Sequence, residues 1–145
     1  MRKFEKVSYC NNGIIPTRSD KGSAGYDFYT PTQLVIEPKQ MVKFQTHIKV
    51  NMLEDEVLML YVRSSIGIKK NLMLPNGIGV IDSTYYNNPD NEGNIIGALY
   101  NYGEETVVIE AGERVMQGVF MKYLVTDDDK PLNEERVGGI GSSGK

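Results

Sequence analysis

One cysteine and one histidine in 145 residues remove several chemistries at the outset. Cys10 has no second cysteine for an internal disulfide, and a Cys/His zinc site cannot be assembled within one chain. A Ser-His-Asp triad would have to be built on His47. Basic excess is missing too: Lys and Arg number 16 against 19 Asp and Glu, for a formal charge of -3. Neither nucleic acid nor a membrane is therefore the expected partner. No apolar run is long enough to cross a bilayer, and the opening residues through Lys6 lack the apolar centre of a signal peptide. A cytoplasmic location is expected. Hard cations held through carboxylates and phosphates stay open.

Helical periodicity is almost absent, and short apolar runs separated by turn formers take its place. Phe4, Val7 and Tyr9 suggest a first strand, and Leu34 to Ile36 a second. Residues 42–50 alternate strictly, with Val42, Phe44, Thr46, Ile48 and Val50 on one face and Lys43, Gln45, His47 and Lys49 on the other. This predicts one half-buried strand with His47 on its solvated face. Residues 57–62 are continuously apolar, as in a strand covered on both sides, and deliver Arg63, Ser64 and Ser65 at their end. Ser64 or Ser65 can cap a short helix over 66–71, the single helix expected. Further strands are predicted at 95–102, 106–109 and 115–125. Such spacing indicates an all-β sandwich or barrel forming one domain. The polar insert 86–94 is expected to project as a loop. Beyond Val125 the chain turns acidic and then glycine-rich, and reads as a disordered tail or as a flap that orders on a ligand.

Several stretches carry candidate chemistry. Gly79, Val80, Ile81 and Asp82 lead to Tyr85, which sets a carboxylate and an aromatic ring side by side where a strand turns. An acid after an apolar pair can hold a water for hydrolysis, or can hydrogen-bond its own turn. Ala24-Gly25-Tyr26-Asp27 places an acid after a glycine, where backbone can bend closely around a ligand. Arg63, Ser64 and Ser65 suit a phosphate, or form an ordinary helix cap. The tail matches Gly-x-x-x-x-Gly-Lys from Gly139 to Lys145, but no Ser/Thr and no helix follow, so the P-loop reading fails. Its glycines and Arg136 can still wrap an anion.

Taken in order, these stretches resemble the five motifs of the trimeric dUTPase family: Ala24-Gly25-Tyr26-Asp27-Phe28; Arg63-Ser64-Ser65 with Lys69; Gly79-Val80-Ile81-Asp82 with Tyr85; Gly112-Glu113-Arg114-Val115 with Gln117; and the tail around Gly138, Gly139, Gly141, Ser142 and Gly144. The resemblance implies a jelly-roll-like β-barrel over residues 1–130, with 131–145 as a flexible active-site flap. It implies Mg²⁺-assisted hydrolysis of dUTP to dUMP and pyrophosphate by a homotrimer whose sites are shared between subunits. Asp82 would activate the water that attacks the α-phosphorus, and Tyr85 would exclude a 2′-hydroxyl. Asn76 and the main chain at Gly79, Val80 and Ile81 would read uracil. Arg63, Ser64, Ser65 and Gln117 would serve the triphosphate, and Asp27 would hold Mg²⁺ through water. Arg136 would reach the terminal phosphate and Ile140 would cover the base. Thr84 stands where many relatives carry an acid.

Two alternatives accompany this expectation. One is a same-fold dCTP deaminase or a bifunctional relative. The other is a dUTPase scaffold that also docks a regulatory protein through a projecting 86–94 insert.

Overall fold

The strands are short because turn formers interrupt the apolar runs every few residues. The computed structural model describes residues 1–134, 136 and 138–141. In chain order the strands are β1 (Lys3–Lys6), β2 (Tyr26–Tyr29), β3 (Leu34–Ile36), β4 (Met41–Gln45), β5 (Ile48–Asn51), β6 (Glu56–Val62), β7 (Leu72–Met73), β8 (Gly79–Asp82), β9 (Ile96–Asn101), β10 (Val107–Ile109) and β11 (Arg114–Lys122). Every named pairing is antiparallel, in the orders β2-β11-β6-β8, β4-β9-β7, β1-β5 and β10-β3. The result is the all-β, jelly-roll-like architecture expected. Phe28, Ile36, Ile48, Leu58, Leu72, Leu99 and Ile109 are fully enclosed in one shared core, so all four sheets bury their apolar faces against one another.

Strand 42–50 is not continuous. His47 adopts φ 56°, a left-handed conformation that ends β4 and sends β5 to pair with β1 in another sheet. The inward face survives the break, with Phe44, Thr46, Ile48 and Val50 all buried. The outward face does not: Lys49 is buried and His47 half-buried. The His47 ring meets Asn12 and Gln45 rather than a serine and an acid, so no triad forms on it.

The insert 86–94 folds down instead of projecting. Its asparagines satisfy the turn themselves: Asn88 Oδ1 accepts from the Asp90 and Asn91 amides, and Asn91 Oδ1 from the Gly93 amide. Once its own polar groups are paired, a loop of turn formers can be buried at little cost. Lys49 Nζ then donates at 2.7 Å to both Asn87 Oδ1 and Glu92 Oε2 beneath the Tyr86 ring. Hydrogen bonds from Lys49 and from the Ser8 side chain and amide hold the Glu92 carboxyl down at about 2. A folded-state value below the ordinary 4.5 means this contribution is complete above about pH 4.5 and fades as the pH falls toward about 2. Wild-type protein should therefore melt above Glu92→Gln near neutrality, and the gap should close in acid when both are followed by thermal denaturation.

Candidate active site

Two clefts collect the predicted residues, and they lie on different parts of the central sheet. The first, about 380 Å³, runs beside β8 and is walled by Leu60, Leu74, Pro75, Met41 and Met116. Among the described residues no strand pairs with the outer side of β8, so main-chain groups at Gly79, Val80 and Ile81 border this cleft without a ladder partner there. Asn76 lies at one end and Asp82 and Tyr85 at the other. A narrow, mainly apolar slot with a few polar groups along one rim suits a flat heterocycle. Its floor includes Gly97, where a Cβ would stand 2.2 Å from the Phe44 ring on the neighbouring strand; only glycine fits there.

Asp82 ends β8 with its side chain half exposed. Its Oδ2 accepts from Arg136 Nη2 at 2.8 Å. The Arg136 guanidinium also lies 5.4 Å from the Tyr85 ring centroid and donates to Thr84 Oγ1 at 3.3 Å. Tyr85 itself is buried, which pushes its phenol above the ordinary value and keeps it neutral. Its hydroxyl donates to the Asn94 carbonyl and accepts from Asn91 Nδ2, each at 2.8 Å. Asn91 carried no signal of function in the sequence, being one of several asparagines in a turn-rich stretch. Ile140 borders the same cleft and is largely exposed.

The second cleft, about 260 Å³, is lined by Ser19, Ser23, Ala24, Gly25, Asp27, Arg63, Ser64 and Gln117. A Cβ at Gly25 would meet Gln117 Oε1 at 2.5 Å, so a side chain there would displace the end of Gln117 within the cleft. Arg63 leaves the end of β6 with its Nε 3.3 Å from Asp27 Oδ1, and Arg114 Nη1 stands 3.3 Å from Asp27 Oδ2. Arg114 had only its motif to mark it. Ser64 takes the N-cap position of the helical turn Ser65–Lys69 but makes no capping hydrogen bond with its side chain. The side-chain cap expected from sequence is thus absent, and Ser64 lines the cleft. The turn ends at Lys69, short of Asn71, whose φ of 57° is left-handed. Ser65 opens the turn beside the cleft without lining it.

Register sets the two clefts apart. Asp82 pairs with Val57 at the start of β6, whereas Arg63 follows its end, and Gln117 and Asp27 pair through Tyr61 at that same end. Six residues of strand separate the levels of Asp82 and Arg63, or about 20 Å. A triphosphate is far shorter than that. Of the tail motif, Ser142 and Gly144, with the terminal Lys145, lie outside the described residues.

A family model described as dUTPase matches residues 11–144. The chain belongs to the dUTPase family. A deoxyuridine 5'-triphosphate nucleotidohydrolase of Lactococcus lactis is 50% identical over 99% of this chain and 98% of its own. A crystal structure of dUTPase from Streptococcus mutans superposes with TM-score 0.80 at 44% identity, covering 86% of this chain and 98% of that one. A dUTPase from phage phi11 of S. aureus, described with a structural Mg(II) ion, shares the fold at TM-score 0.76 and 21% identity, over 92% of this chain and 98% of its own. Membership in a dUTPase family rather than a deaminase one leaves the dCTP deaminase alternative unsupported. Among the described residues no helix is long and apolar enough to cross a membrane.

Proposed function

We propose that this chain hydrolyses dUTP to dUMP and pyrophosphate in the cytoplasm, as a homotrimer, with residues 1–130 as the barrel and 131–145 as the flap. The observation that carries this reading is Asp82, a half-exposed carboxylate at the end of an edge strand, lining with Tyr85 a slot sized for a base. Uracil enters the slot against Asn76 and the backbone of β8, with Ile140 at the rim. Asp82 accepts a proton from a water as the water oxygen bonds to the α-phosphorus, and the bond from that phosphorus to the bridging oxygen breaks, releasing pyrophosphate. Donors from Arg63, Ser64, Ser65 and Gln117 stabilise charge on the phosphate oxygens, and Arg136 turns from Asp82 to the terminal phosphate.

The 20 Å between Asp82 and the Arg63 group supports the trimer, because the two can meet on one nucleotide only if different chains supply them. The donor set also bears on Mg²⁺. Among the described residues no cluster of three His, Cys, Asp or Glu could hold a metal directly, and both Asp27 oxygens face arginines. That set fits an ion carried in on phosphates and steadied through water by Asp27, and it does not fit a cage built from protein alone. Bound there, the ion would neutralise charge on the triphosphate.

Pyrophosphate release from dUTP, UTP, dCTP and dTTP, with Mg²⁺ and with EDTA, tests the whole reading. Release confined to dUTP and Mg²⁺ is expected; ammonia from dCTP, or inert dUTP, would overturn it. Tyr85→Ala should narrow the kcat/KM preference for dUTP over UTP by about 100-fold and Tyr85→Phe by about tenfold, since the ring excludes the ribose and the hydroxyl's bonds to Asn91 and Asn94 hold the ring in place. The docked insert removes the projection on which a regulatory binding role rested.

A further inference from the structure

Asp90 and Asn91 are adjacent in the insert, and they reach in different directions. Asn91 Nδ2 donates to the Tyr85 hydroxyl at 2.8 Å, and Asn88 Nδ2 ties the Tyr85 carbonyl and Asn91 Oδ1 together at 2.8 and 2.7 Å. Asp90 Oδ2 accepts from the Gly139 amide at 2.7 Å. Gly138 and Gly139 are both buried, and a methyl group on Gly139 would stand 3.5 Å from Asp90 and from Asn91. One short loop thus holds the ring expected beneath the sugar and the tail segment that leads to Ile140.

We propose that the insert couples the two, with Asp90 the seat on which the tail docks and Asn91 the brace that fixes Tyr85. This rests on the proposed dUTP hydrolysis and assigns two positioning residues to it. A carboxylate accepting a backbone N–H makes a charge-assisted bond that costs no rearrangement of the insert, because Asp90 is exposed and its own amide is already held by Asn88. The tail can leave and return without unfolding anything. When it returns it meets the residue next to the one that steadies the tyrosine, so closure and sugar selection are set by the same loop.

The test uses the full chain and a chain ending at residue 134, each with Asp90→Ala, Asp90→Asn and Asn91→Ala, followed by kcat, KM and melting temperature. In the full chain Asp90→Ala should lower kcat about tenfold with the melting temperature unchanged, and Asp90→Asn, which keeps an acceptor oxygen, should recover most of it. In the shortened chain Asp90→Ala should do nothing further, the non-additivity of two changes to one contact. Asn91→Ala should reduce the dUTP to UTP preference about tenfold with or without the tail. Equal losses from Asp90→Ala in both chains, or an unchanged preference in Asn91→Ala, would overturn the coupling. Wild-type protein inert toward dUTP would instead overturn the hydrolase reading, a separate outcome.

Discussion

Asp82→Asn is expected to lose about 10³-fold in kcat while binding a non-hydrolysable dUTP analogue as tightly as wild type. The amide keeps the size and one acceptor oxygen of the carboxylate, so Arg136 retains a partner and the slot keeps its shape. It cannot take a proton from water. The side chain is half exposed at a strand end, so its exchange puts no core packing at risk and the melting temperature should stay within a degree or two. Removing one negative charge beside a triphosphate can only favour ground-state binding. A variant that loses affinity and keeps its rate would mean that Asp82 holds substrate and does not activate water.

The second large effect needs two inactive proteins. Arg63→Gln leaves buried Asp27 its ion pair with Arg114 but removes the charge expected on the phosphates, and should cost about 10²-fold. Refolded together in equal amounts, Asp82→Asn and Arg63→Gln chains should regain about one quarter of wild-type turnover per site, the chance that a site draws Asp82 and Arg63 from two intact contributors. Steady-state pyrophosphate release before and after co-refolding measures it. If the mixture gives only the mean of the two separate proteins, each chain builds a complete site and the trimer argument fails.

Which parts of this were legible in the sequence depends on the range over which each is determined. The apolar runs at 34–36 and 57–62 became strands because short apolar runs bounded by turn formers act locally, and the chemistry of Asp82, Tyr85, Arg63 and Gln117 was marked by motifs of a few residues. The kink at His47 was hidden, since perfect alternation on either side says nothing of a single left-handed residue between two sheets. The insert misled for a related reason: Asn, Asp and Gly predict turns correctly, but whether a turn projects or packs depends on distant partners such as Ser8, Lys49 and Tyr9. Nor could spacing reveal that Asp82 lies level with the start of β6 and Arg63 beyond its end, because that is fixed by the register of β8 with β6.

The glycine under the Phe44 ring has a consequence for any compound shaped like a nucleobase. Because no side chain fits at position 97 without displacing a core aromatic, a lineage selected for resistance has no escape through that position. Resistant changes should gather at the exposed rim, at Met41 and Ile140, where bulk can be added or removed at no expense to folding.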